Sequence, residues 1–176
     1  RVLPANGYIK AGVYTPNFGI RLDDHTAYTR EGLIFNPFYR EAGVEVGFFA
    51  DDWLYASASA GSNLSDFTSN YTKDPTYTAR AEFSPRFGEV GLMLGASYAA
   101  VKLQGSAGTL NTNMYGGFFG FGYDEFSLLA EYDIANDLSS PDVKSNVLMI
   151  EAAYGILTGL EAIVRYDRID YNADVD

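Results

Sequence analysis

The stretch Phe126-Ser127-Leu128-Leu129-Ala130-Glu131-Tyr132-Asp133-Ile134 decides how this chain is read. Its even positions carry Phe, Leu, Ala, Tyr and Ile, and its odd positions Ser, Leu, Glu and Asp. Successive side chains of a strand point to opposite faces, so the alternation predicts a strand with one apolar and one mixed face. The apolar face has an order of its own. Aromatic rings stand near both ends, at Phe126 and Tyr132, with aliphatic Leu128 and Ala130 between them.

Working outward, the same design recurs in Gly7 to Thr15, Glu41 to Ala50, Trp53 to Gly61, Thr76 to Ser84, Glu89 to Ala99, Tyr115 to Tyr123, Val147 to Tyr154 and Leu160 to Asp167. No apolar set contains a charge, and most opposing residues are small or charged. Tight connections (Ala50 to Trp53, Pro85 to Gly88, Tyr123 to Glu125, Ile156 to Gly159) alternate with longer ones (Pro16 to Arg40, Ser62 to Pro75, Ala100 to Asn113, Asn136 to Asn146). Hairpins throughout put the tight turns at one end and the long loops at the other. The expected fold is all-β: an antiparallel up-and-down meander with nine visible strands, each about nine to eleven residues long, within a single domain over 1–176.

Composition sets the outer limits. The chain has 176 residues, 47% of them hydrophobic, with 14 Tyr, 12 Phe, 1 Trp and 18 Gly. It has no Cys, which excludes disulfides, thiolate metal sites and thioether-linked haem. A formal charge of −11 repels a phosphate backbone, so no nucleic-acid partner is expected. No run of about 18 apolar residues is available for a membrane helix, and the N-terminal residues do not have the pattern of a signal peptide.

Two environments accept strands of this kind. In a soluble sandwich or lipocalin-like barrel the apolar face is the core; in a transmembrane barrel it meets lipid. Three features favour lipid. The apolar-face aromatics fall into two groups: Phe48, Phe83, Phe121, Tyr123, Phe126 and Tyr154 near the tight turns, and Tyr77, Tyr98, Tyr115, Tyr132 and Tyr166 near the long loops. Two aromatic girdles around an aliphatic band match the two interfaces of a bilayer. A face reading Leu54-x-Ala56-x-Ala58-x-Ala60 fills a close-packed core poorly. The opposite face is rich in glycine, which weakens a strand unless neighbours approach closely. Short turns at one end and long loops at the other match barrels of the bacterial outer membrane.

The segment Gly12-Val13-Tyr14-Thr15-Pro16-Asn17-Phe18-Gly19-Ile20-Arg21 resembles the Gly-Arg-Phe-x-Pro-x-Phe-Gly segment of phosphate-selective-type porins, and early segments of related uncharacterised Gram-negative barrels. The close match covers about ten residues. It implies a porin-like outer-membrane β-barrel and no particular solute; the family's basic residue is replaced by Val13-Tyr14, and no lysine-rich ladder follows.

Nine strands leave an unpaired edge, whereas bacterial single-chain barrels have an even number. Gly32-Leu33-Ile34-Phe35 is a weak candidate for a tenth, cut short by Asn36-Pro37. The expectation is therefore part of a larger barrel.

On the mixed face the candidate pore-lining charges are Lys10, Glu41, Glu45, Arg80, Glu82, Glu131, Asp133, Glu151, Glu161, Arg165 and Asp167, eight acids against three bases. Arg80 and Arg165 are the expected internal bridges, because crowded carboxylates repel or take up protons. The remaining excess predicts a weak preference for cations, carried mainly by Glu45, Glu131, Glu151 and Glu161. The connection from Pro16 to Arg40 carries Arg21, Asp23, Asp24, His25, Arg30 and Arg40. It either folds inward as a constriction, its arginines facing wall carboxylates, or caps the rim or a partner protein. Asp24-His25 lacks a second catalytic pair, and the acidic turns do not assemble a metal-ligand pattern, so neither catalysis, a metal nor a cofactor is expected. The sequence thus points to a porin-like barrel whose partners are a lipid bilayer, small solutes or cations, and possible further copies or a surface protein. A plugged barrel serving as a scaffold and a soluble lipocalin-like binder stand as alternatives.

Overall fold

The computed structural model describes residues 6–20, 27–35, 39–63, 74–105, 108–138 and 140–172. Its strands are β1 (Tyr8–Tyr14), β2 (Glu41–Ala50), β3 (Leu54–Asn63), β4 (Pro75–Phe83), β5 (Arg86–Phe87), β6 (Val90–Gly105), β7 (Gly108–Tyr123), β8 (Phe126–Asn136), β9 (Lys144–Leu157) and β10 (Leu160–Asn172). One helical turn, α1 (Tyr28–Glu31), lies between β1 and β2. The ten strands form one sheet in the order β1-β2-β3-β4-β6-β7-β8-β9-β10, with the two-residue β5 folded back on β6. Every pairing is antiparallel. The expected meander is therefore present. Its edges, β1 and β10, do not pair with each other, so among the described residues the sheet is open.

The register keeps the two faces apart across the whole sheet. Ala58, Ala79, Tyr98, Tyr115 and Ile134 lie in one continuous row on the apolar side. Gly95, Phe118, Glu131 and Met149 form a row on the other. A slip of one residue at any pairing would move every following charge to the apolar side, and that penalty holds the register.

The two faces differ in what covers them. The apolar side is the exposed one: Val44, Val46, Phe48, Tyr77, Leu94, Tyr115, Tyr132, Ile150 and Tyr154 all stand open, and Val164 is 74% exposed. The mixed side is the inner one, with Glu41, Glu45, Arg80, Glu131 and Asp133 buried. A water-soluble fold has the reverse arrangement.

The inner side is covered by the described parts of the connection between β1 and β2. Phe18, Leu33, Phe35 and Tyr39 pack with Ala99, Val101, Leu103, Leu110, Met114, Ala135 and Val147 in one buried cluster, and Ile20 packs with Phe118 and Met149 in a second. Phe18 and Phe35 stack at 4.8 Å, and Tyr39 meets Phe35 edge-on at 5.4 Å. The face's glycines make room for this filling. At Gly95 the Phe118 ring occupies the space a Cβ would take.

Three expectations need correction. Ala100 to Asn113 is not a long loop: β6 runs to Gly105 and β7 starts at Gly108. The alternation continues there but changes sign. Ala99, Val101, Leu103, Leu110 and Met114 point inward and are buried, while Lys102, Thr109 and Asn111 are exposed, so the outward side is now polar. Gly32–Phe35 is not a strand. The Gly32 N–H bonds to the Tyr28 carbonyl at the end of α1, and Ile34 has φ +74°. The Pro85 to Gly88 turn contains the extra strand β5, held by Arg86–Gly91 and Phe87–Val90 pairing.

Candidate functional site

The inner side of the sheet is the candidate site, because buried charge is expensive and survives only where it is paired or used. Antiparallel register sets the spacing. Inward residues of β8 (Ser127, Leu129, Glu131, Asp133) stand beside those of β7 and β9, so Glu131 lies between Phe118 and Met149 and opposite the β1–β2 connection.

Two arginines tie that connection to the wall, one from each side. Arg30 of α1 is 4% exposed, and its Nη2 donates to both oxygens of Glu131 at 3.0 and 3.1 Å. It also donates to the Ile20 carbonyl, while Ile20 N–H donates to Glu131 at 3.2 Å. In the other direction, Arg80 Nε of β4 donates to the Gly19 carbonyl at 2.9 Å, and Gly19 N–H donates to Ser97 Oγ of β6 at 2.8 Å. Gly19 has φ +58°, and a Cβ there would run into the Glu131 carboxylate. Only glycine adopts this backbone and also leaves room for the acid.

Arg80, Arg165 and Lys10 form local pairs on the inner side. Arg80 reaches Glu82 at 2.5 Å and lies over the Phe118 ring at 4.6 Å. Arg165 meets Glu151 at 2.5 Å and Asp167 at 4.0 Å. Lys10 meets Glu45 at 2.9 Å and lies 4.4 Å over the Tyr14 ring. Arg80 and Arg165 thus occupy the bridging roles expected of them. Glu41 accepts from Tyr39 at 2.7 Å. Asp133 is fully buried beside Glu131, and no N–H or hydroxyl donor reaches its oxygens. Glu161 is on the same face but exposed near the β9–β10 turn.

Of the residues expected in the inward connection, Arg30 is brought to Glu131, while Arg40 is exposed just before β2. Arg21, Asp23, Asp24 and His25 lie outside the described residues. Among the described residues no cluster of His, Cys, Asp and Glu has metal-binding geometry.

A web of neutral groups was not singled out in the sequence. Tyr8 donates to Glu45 at 2.7 Å and shares a hydrogen bond with Tyr55 at 2.8 Å. Asn17 Nδ2 donates to Tyr55 and, at 3.0 Å, to Ser57. Ser59 and Thr78 pair at 2.6 Å. The available signal was parity: Tyr8 and Tyr55 stand in the inward phase, unlike the girdle tyrosines. At the tight-turn end this web borders a cavity of about 940 Å³.

Comparison with protein-family models, curated proteins and solved structures finds no match.

Proposed function

We propose that this chain forms the wall of a porin-like β-barrel in a bacterial outer membrane, passing small solutes or cations by diffusion and without catalysis. The observation that carries the reading is the inverted polarity: aliphatic side chains point outward between two bands of rings, and the charges point inward. The outward apolar runs, such as Ala42 to Ala50, Phe126 to Ile134 and Leu148 to Ile156, have about the length a tilted membrane strand requires. The outward side becomes polar beyond Tyr98 and Tyr166, at Lys102 and Arg168, as expected where a strand leaves the hydrocarbon. A lipocalin-like binder would enclose its apolar face around a ligand; here that face points away from the filled side.

On this reading the β1–β2 connection lies within the lumen and narrows it, with Arg30 and Arg80 as its anchors. The carboxylate excess favours cations over anions. The experiment is reversal potential in a salt gradient across a planar bilayer. Discrete conductance with cation preference is expected, and anion selectivity overturns the assignment.

A second reading is favoured by the buried cluster around Phe18, Leu33 and Phe35. If it seals the long-loop end, the barrel is a scaffold rather than a pore. The same bilayer experiment then gives folded, inserted protein with no conductance.

A further inference from the structure

The cavity of about 940 Å³ at the tight-turn end falls outside the anchoring contacts above and is of ligand size. Its lining includes the rings of Tyr8, Phe49 and Tyr55 and the carboxylates of Asp51, Asp52 and Glu82, and among the described residues that line it none is basic. The rings form a continuous group, Tyr8 to Phe49 at 6.1 Å and Phe49 to Tyr55 at 4.8 Å. They are held in place, since the Tyr8 and Tyr55 hydroxyls are bonded to each other and onward to Glu45 and Asn17. A preorganised aromatic wall loses little freedom when a ligand arrives.

Ring faces are negative, and cations settle on them. The inner side already does this with its own side chains: Arg80 lies 5.6 Å from the Tyr55 ring and 4.6 Å from Phe118, and Lys10 lies 4.4 Å from Tyr14. Glu82 is engaged by Arg80. Asp51 and Asp52 are exposed in the β2–β3 turn beside the cavity. Rings and acids together select a cation with an apolar body over a sugar or an anion.

We infer that this cavity is a binding site for organic cations, ammonium groups bearing alkyl substituents, at the tight-turn mouth of the inner face. The inference rests on the pore reading only for the route by which such a cation arrives. Binding itself needs no open lumen.

The chain carries its own reporter. Trp53, the single tryptophan, follows Asp52 and packs edge-on against Phe83 at 5.4 Å. Detergent-folded protein is titrated with tetraethylammonium chloride, against sodium chloride at equal ionic strength and against glucose, while Trp53 emission is followed. A saturable change with tetraethylammonium alone is expected. Phe49→Leu should weaken it about three- to tenfold by removing the central ring. Asp51→Asn with Asp52→Asn should weaken it similarly, and Asn tolerates the φ of +50° at position 51. Tyr55→Phe, which keeps the ring, should retain binding. No saturable response from folded protein, an equal response to glucose, or undiminished affinity in both weakened variants overturns the site. Saturable binding in a protein that does not conduct leaves the site standing and overturns only the pore.

Discussion

Ala130 and Ser127 differ in what lies beyond their side chains, and the difference is measurable. Ala130 points to the outward side at mid-strand, while Ser127 is exposed on the inner side near a turn. On the proposed membrane reading, Ala130→Arg, or Leu94→Arg in the same row, should impair assembly into vesicles by roughly 2–4 kcal/mol, the cost of a charge at the bilayer midplane. Ser127→Arg should be tolerated. Ser97→Arg, attractive on face alone, should not be, because Ser97 is 7% exposed and its Oγ receives the Gly19 N–H. Equal behaviour of Ala130→Arg and Ser127→Arg in a vesicle-folding assay would show the facing to be wrong. The buried pair gives a second test. Arg30→Ala strands Glu131 and should cost about 3–5 kcal/mol, and Glu131→Gln added to it should recover much of that loss. Denaturant titration of the single and double variants reads the coupling directly. Asp133→Asn should raise stability, because it removes one of two acids crowded side by side in the buried face beside Glu131.

At the scale of the element, the β6–β7 hairpin is two structures on one pair of strands. Up to Tyr98 and Tyr115 it carries apolar groups outward; beyond them it buries Val101, Leu103, Leu110 and Met114 under the β1–β2 connection. The upper half therefore obeys ordinary core energetics. Leu103→Ala and Leu110→Ala should each destabilise by about 2–5 kcal/mol through lost burial and an unfilled space. Ala96→Leu, outward and exposed in the lower half, should change stability little, since no packed interior lies against it. Thermal unfolding in one detergent, compared across the three variants, checks the contrast. One backbone feature of the β1–β2 connection can be tested directly, Gly19 at φ +58° against Glu131. Gly19→Ala should loosen it, exposing a cysteine placed at the fully buried Thr29 to a water-soluble maleimide. The chain has no other thiol to confuse the reading.

For the whole molecule the decisive feature is its pair of free edges. Nine of the ten strands form the path of hairpins, so β1 and β10 run in the same direction. Unpaired backbone groups are not tolerated in hydrocarbon. A wall that is antiparallel throughout needs an odd number of further strands between these edges, and a second copy with the same orientation would meet them only in parallel. We therefore expect additional strands, from this polypeptide or another, to complete the wall in a membrane. Paired cysteines at outward positions of β1 and β10, Ala11 with Val164 for example, should then fail to cross-link within one barrel. Efficient cross-linking would establish a parallel seam and remove the need for added strands.

Strands, their order, their two faces and the tight turns were legible in the chain because they depend on local alternation and on which residues tolerate a turn. The bridging roles of Arg80 and Arg165 were legible from charge and parity. The change of sign past Tyr98 was not, because Ala99-x-Val101-x-Leu103 reads as inward only once something apolar lies across from it. Nor did the sequence choose between a connection folded inward and one capping the rim. That choice was made by contacts more than a hundred residues apart in the chain, Arg30 with Glu131 and Ile20 with Glu131. The aromatic cavity is likewise a product of register, which places side chains from separate hairpins side by side. Period-two patterning determines what each strand presents to its two sides, and tertiary packing alone decides what fills the inner one.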